Sequence, residues 1–217
     1  MNMLNFKKII IASSLLASVA AQASIILPAD TLLNNGGFES PDIGNNTWEY
    51  YTSTHNTAGV AGWSYDGSGM EIWDSLIGVE AIEGGQHAEL NAHGANNQAY
   101  SFRQTFDTVI GAEYNYGFAY RARQNTNEEF LAGIVGINAT DVFDDHTRSG
   151  WSVFSGSFFA TDITSTIAFQ SNDQIGDTTG NLLDAVYVTK VSEPGTMALL
   201  GLGLLGLGFA RRKQNQA

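Results

Sequence analysis

Carboxylates, amides and flat aromatic rings crowd one stretch of this sequence, from Tyr50 to Asn91. Tyr50, Tyr51, Trp63, Tyr65 and Trp73 offer apolar faces of the kind that stack on the C–H side of a pyranose ring. Glu71, Gln86, Glu89 and Asn91 offer partners for its hydroxyls. Trp63, Trp73, Glu71, Gln86, Glu89 and Asn91 are therefore the candidate ligand-binding set. Large aromatic residues in a β protein also serve as core, so Trp63 and Trp73 carry that second reading as well.

The same stretch fails the tests for catalysis. A glycosidase needs two positioned carboxylates. Glu71-Ile72-Trp73-Asp74 resembles the Glu-x-Asp-x-x-Glu strand of a jelly-roll glucanase family, but position 73 is Trp and position 76 is Leu. His87, Glu89 and His93 do not form the His-Glu-x-x-His spacing of a zinc helix. Strand alternation would put His87 and Glu89 on one face as a hydrogen-bonded pair. His55 and His146 have no evident partner, and Asp141, Asp144 and Asp145 match no calcium loop of the EF-hand type. No nucleophile elbow or phosphate loop occurs. No catalytic residue is assigned, and a non-enzymatic protein is expected.

The elements that must position these residues are short. Hydrophobic residues make up 43% of 217, enough for a core, and Gly (24) far outnumbers Pro (3). Phe102, Gln104 and Phe106 share one face with Tyr100, and Tyr114, Tyr116, Phe118 and Tyr120 repeat the pattern after a turn at 108–111. Apolar runs follow at 130–137, 151–159, 165–170 and 182–191. Period-2 aromatics between Gly/Asn/Asp clusters predict an all-β antiparallel sandwich. Asn35-Gly36, Asp66-Gly67 and Ser149-Gly150 read as turns. There is no cysteine, which excludes disulfides and thiolate metal sites. From Asp30 to Glu193, 22 acidic face 5 basic side chains (Arg103, Arg121, Arg123, Arg148 and Lys190), a net of −17. Such a surface repels phosphate backbones and excludes nucleic acid as a partner, while admitting cations and neutral sugars.

The ends carry export signals. Lys7-Lys8, the apolar run 9–21 and Ala21-Gln22-Ala23 form a secretory signal peptide over residues 1–23, with signal peptidase cutting between Ala23 and Ser24. The domain proper is expected over 24–190. At the other end come Ser192-Glu193-Pro194, an uncharged apolar stretch over 195–210 and Arg211-Arg212-Lys213. As a helix, that stretch would be about 24 Å long, slightly short for a ~30 Å hydrocarbon core. The basic cluster would stay on the cytoplasmic side. This tripartite segment over 191–217 resembles the PEP-CTERM sorting signal of Gram-negative bacteria, with Ser192 where that pattern usually has Pro. The resemblance implies a transmembrane sorting helix, transient residence in the inner membrane and processing by an exosortase. It further implies delivery to the cell surface or matrix, in lifestyles built on exopolysaccharide and biofilm.

Two further elements resemble carbohydrate-binding-module-like jelly rolls of galactose-binding topology. Leu33-Asn34-Asn35-Gly36-Gly37-Phe38-Glu39 is similar to their opening strand, and Leu182-Leu183-Asp184-Ala185-Val186 to their closing one. The resemblance implies that the two segments are neighbours and that Glu39 and Asp184 hold a structural Ca²⁺. Ala185 stands where a second acid is common, and Ca²⁺ asks for six to eight oxygens. Gly62-Trp63 through Gly84-Gly85-Gln86-His87-Ala88-Glu89-Leu90-Asn91-Ala92 also resembles a module of secreted bacterial proteins. The expectation is an exported polysaccharide-binding envelope or matrix protein. The alternatives are a structural or adhesive surface protein without a small ligand, and a carbohydrate-active enzyme.

Overall fold

The computed structural model of the chain describes residues 26–66, 69–90, 101–123, 129–137, 141–144, 149–171 and 179–192. The signal peptide with Ala23 and Ser24, the sorting residues from Glu193 and Pro194 onward, and Asn91, His93, Asp145 and His146 lie outside the described residues.

Among the described residues, eleven strands form two antiparallel sheets. In chain order they are β1 (Thr47–Tyr51), β2 (Ser64–Asp66), β3 (Met70–Asp74), β4 (Gln86–Glu89), β5 (Ser101–Asp107) and β6 (Glu113–Ala122). They continue with β7 (Phe130–Ile134), β8 (Asp141–Phe143), β9 (Ser152–Phe159), β10 (Thr164–Ser171) and β11 (Asn181–Lys190). Sheet one has the order β1-β3-β4-β11-β6-β9 and sheet two the order β2-β5-β10-β7-β8. They pack as a jelly-roll sandwich, and their inner faces supply one aromatic core. Phe118 of β6 meets Phe169 of β10 edge-on at 5.0 Å and Phe143 of β8 at 5.2 Å.

The alternating aromatics of β5 and β6 are buried on one side of each strand, as the period predicts. The 108–111 turn does not make a hairpin of them, however. β5 belongs to sheet two and β6 to sheet one, so the turn is an arch between layers. Either connection turns the same residues inward, which is why the pattern alone does not separate them.

The opening motif is not a strand. Residues 31–39 are an irregular segment laid along β11. The Leu32 amide donates to the Val188 carbonyl (2.8 Å) and the Val186 amide to the Gly36 carbonyl (2.9 Å). The chain turns at Asn35, which has φ +58°, a conformation Asn tolerates better than most residues. Its side-chain amide bonds the Ser40 carbonyl (2.7 Å) and its oxygen accepts from the Ser40 amide (2.9 Å). Phe38 then drops completely into the core and stacks on Trp63 at 5.1 Å. The neighbourhood implied for the opening and closing motifs holds.

β11 breaks register against β6 between Asp184 and Tyr187, and Ala185 takes φ +51°. This bulge bends the strand beneath the 31–39 segment. A Cβ on Gly36 would overlap the Val186 carbonyl oxygen, which is backbone and cannot swing aside. Gly36→Ala should cost about 1–3 kcal/mol, read as a lower urea midpoint with an unchanged slope. A wild-type midpoint would show that this contact does not lock the two segments.

Candidate functional site

The outer face of sheet one collects most of the chemistry. Strand register sets two rows across it. One runs Tyr50, Glu71, Glu89, Leu182 and Arg121. The other begins Trp48, Trp73 and His87. Trp48 stacks on Trp73 at 6.2 Å and tilts against Tyr50 at 6.1 Å. Trp48 and Tyr50 are half-buried at the sheet edge, whereas Trp73 is buried. His55 lies flat on Tyr50 at 4.0 Å.

Behind this edge lies a buried polar layer. The Trp73 indole N–H donates to Glu71 Oε2 (3.0 Å). The Arg123 guanidinium sits 4.4 Å over the Trp73 ring and donates to both oxygens of Glu89 (3.0 and 3.1 Å). Glu89 also accepts from the Gly180 amide (2.7 Å). Burial, and then the neighbouring Glu71 charge, push the Glu89 carboxyl well up, while Arg123 and the Gly180 amide pull it back. Farther along, the Trp151 indole donates to the Glu80 carbonyl (3.0 Å), and Arg121 approaches the Trp151 ring at 5.8 Å. His87 meets that ring edge-on at 5.6 Å. His87 is fully buried and neither ring nitrogen has a hydrogen-bond partner among the described residues. Burial first, then the Arg121 charge, push it down to about 3.

The structure thus brings Trp73, Glu71 and Glu89 together and places Trp63 and Gln86 elsewhere, while Asn91 lies outside the described residues. Trp63 lies between the sheets, stacked on Phe38, with its indole donating to the Asn35 carbonyl (3.0 Å). It is a core residue and not a sugar platform. Gln86 is spent on the opening segment: its oxygen accepts from the Ile43 amide (2.8 Å) and its amide donates to the Phe38 (2.6 Å) and Pro41 (3.0 Å) carbonyls. Tyr51 is core and Tyr65 is half-buried against it. His87 and Glu89 share a face, as alternation requires, but Glu89 pairs with Arg123 and not with His87. Trp48, Arg121, Arg123 and Trp151 were not among the expected residues. Alternation outward from the core residues Tyr51 and Tyr120 would have found Trp48 (through Tyr50), Arg121 and Arg123.

Glu39 and Asp184 converge on one loop from different directions. Asp184 Oδ2 accepts the Ile82 (2.8 Å) and Glu83 (3.0 Å) amides, and Oδ1 accepts the Ala185 amide (2.6 Å). Glu39 Oε1 accepts the Gly85 and Gln86 amides, both at 2.9 Å. Burial pushes the Asp184 carboxyl well up, against the pull of its three amides. Glu83 is pushed up by burial and by the Glu39 charge. These amides engage both oxygens of Asp184 and the Oε1 oxygen of Glu39. No three acidic or histidine side chains are placed to hold a metal among the described residues. As they stand, the two carboxylates fit a loop clamp better than a cation shell.

β11 stays in the sheet to its end, and the Val191 amide still donates to the Glu113 carbonyl (2.9 Å). The polypeptide therefore leaves the sandwich at Ser192, directly into the Glu-Pro and apolar stretch of the tail. Residues 190–213 match the PEP-CTERM protein-sorting motif. A PEP-CTERM motif marks an exported protein processed at the membrane. No curated protein matches the chain in sequence. Among solved structures, an arabinose-bound GH51 α-L-arabinofuranosidase is similar at 13% identity and a TM-score of 0.50, over 76% of this chain and 27% of that one. TmCBM61 in complex with β-1,4-galactotriose matches at 14% and 0.46, over 74% of this chain and 99% of that one. The CBM22-1 xylan-binding domain of Paenibacillus barcinonensis Xyn10C matches at 12% and 0.42, over 81% and 100%. At these identities the likeness is one of fold.

Two outcomes check the site. The thermal midpoint should be the same in millimolar calcium as in chelator, because a ligand of the folded state would raise it by mass action. A calcium-dependent rise would restore Glu39 and Asp184 as ligands. His87 has a folded-state value of about 3 against 6.5 in the unfolded chain. Between those values the unfolded chain binds the extra proton, so stability falls as pH drops through the window. The slope is about 1.4 kcal/mol per pH unit. His87→Gln should remove that one-proton slope from the denaturation profile. An unaltered profile would mean that His87 titrates normally.

Proposed function

We propose that this is an exported, non-catalytic polysaccharide-binding protein. Signal peptidase and an exosortase process it, and it serves at the cell surface or in an exopolysaccharide matrix of a biofilm-forming bacterium. One observation carries the binding reading: the aromatic edge made by Trp48 and Tyr50, continued inward by Trp73 and fixed by Glu71 and Arg123. Stacked rings of this kind present a flat, rigid apolar surface to the C–H face of a sugar. Glu71 is tied to Trp73 and Glu89 to Arg123, which suits holding side chains still rather than moving protons. A second reading, an adhesive or structural surface protein without a small ligand, is favoured by the burial of Glu71, Trp73 and Glu89, which leaves only the edge rings reachable.

Affinity electrophoresis in gels containing neutral β-linked polysaccharides, or the producing bacterium's own exopolysaccharide, separates the two. The protein should be retarded. Trp48→Ala should weaken binding about tenfold, the equivalent of ~1.4 kcal/mol, with an unchanged circular dichroism spectrum. Free migration in every gel would sink the polysaccharide reading and leave the adhesive one.

A further inference from the structure

One end of the sandwich is apolar where a soluble acidic domain would be polar. Val109 (56%), Ile110 (62%), Phe159 (61%) and Ile163 (67%) are all exposed there. Val109 and Ile110 come from the 108–112 arch, Ile163 from the 160–163 turn between β9 and β10, and Phe159 from the end of β9. Val109, Ile110 and Phe159 line a shallow groove together with Val191 and Ser192, the last described residues before the sorting segment.

The tip is built rather than loose. The Thr108 amide donates to the Ile163 carbonyl (2.8 Å), the Gly111 amide to Ala160 (2.8 Å), and the Ala160 amide to Ala112 (3.0 Å). The Thr108 hydroxyl donates to the Asp162 carbonyl (2.8 Å), and the Val109 amide to the Tyr114 hydroxyl (2.9 Å). A loop whose amides are paired internally can enter a headgroup region without stranding donors. Position matters as much. From Ser192, an extended chain needs about 10 Å to reach Gly195, where the uncharged stretch over 195–210 begins.

We propose that this tip rests on the lipid bilayer that receives the sorting segment, with Ile110 and Phe159 in the headgroup–acyl boundary. The charge pattern fixes the lipid class. Asp107, Glu113 and Asp162 surround the tip against Lys190 alone, so it contacts zwitterionic headgroups through apolar burial and not anionic lipid through attraction. The contact would hold the processing point near Glu193-Pro194 in a set orientation at the membrane surface, and it lapses once the tail is removed.

The absence of cysteine makes the test direct. Ile110→Cys, Phe159→Cys and Val142→Cys are labelled singly with an environment-sensitive fluorophore in the full chain reconstituted into phosphatidylethanolamine–phosphatidylcholine vesicles. All three positions are exposed, so the fold tolerates them. Val142 is paired with Leu131, and Leu131 with Gln170, at the far end of β10 from Thr164. A spin-labelled lipid should remove about half or more of the emission at positions 110 and 159, which lie within the first ~10 Å of the bilayer, and none at 142. Equal emission at all three positions overturns the proposal. A blue shift at 110 and 159 without quenching by lipid also overturns it, in favour of a protein occupant such as a second copy or the chain's own tail.

Discussion

Asp184 is a carboxylate with no exposed surface, buried where β11 slips register, and the 82–86 loop is folded around it. Three amides meet its two oxygens, and Glu39 takes the next two amides along the same loop. Charge-assisted bonds of this kind are each worth about 1.5–3 kcal/mol. That loop feeds straight into β4, so its position sets the phase of Gln86, His87 and Glu89. Gln86, facing the other way, fastens the 38–43 segment. The candidate face therefore depends on a clamp about one strand away from it, and the same clamp decides how the first described residues are held against the last strand.

The outer face of sheet one also concentrates cations that are scarce elsewhere. Arg121 and Arg123 are two of five basic side chains in a strongly acidic middle region, and each lies against a tryptophan. A guanidinium over an indole is stabilised by the ring's electron density. Here it brings a counter-charge to carboxylates that burial would otherwise leave isolated. The layer resembles an interior more than a wet surface, and the half-buried edge at Trp48 and Tyr50 is its contact with solvent.

The fold was legible where a period-2 pattern coincides with one buried face. Phe102, Phe106, Tyr114, Tyr116 and Phe118 all point inward as alternation demands. The layer to which each strand belongs was not legible, because an arch and a hairpin bury the same residues. Nor was the role of each tryptophan. Trp63 and Trp73 are ten positions apart, yet one precedes a strand of sheet two and turns to Phe38, while the other faces outward beside Trp48. Alternation from Tyr51 puts Trp48 on the outer face, but its stacking on Trp73 is a cross-strand contact invisible in local sequence. The opening and closing motifs were read correctly as neighbours. That Glu39 and Asp184 accept from the backbone of the 82–86 loop was not legible, because residue type does not reveal which backbone amides will arrive.

β11 occupies the middle of sheet one, flanked by β4 and β6, yet it is the last strand of the chain. Strands β1, β3 and β4 form one ribbon, and β6 with β9 another. Within sheet one, no strand pairing joins the two except through residues 181–190, which lie between them. An exported chain crosses the membrane with its N-terminus leading, so this joining strand is the final part of the domain to emerge, and the sorting segment follows it without a spacer. A chain cut short before Asn181 would leave the two ribbons of sheet one with exposed edges where β4 and β6 now meet β11.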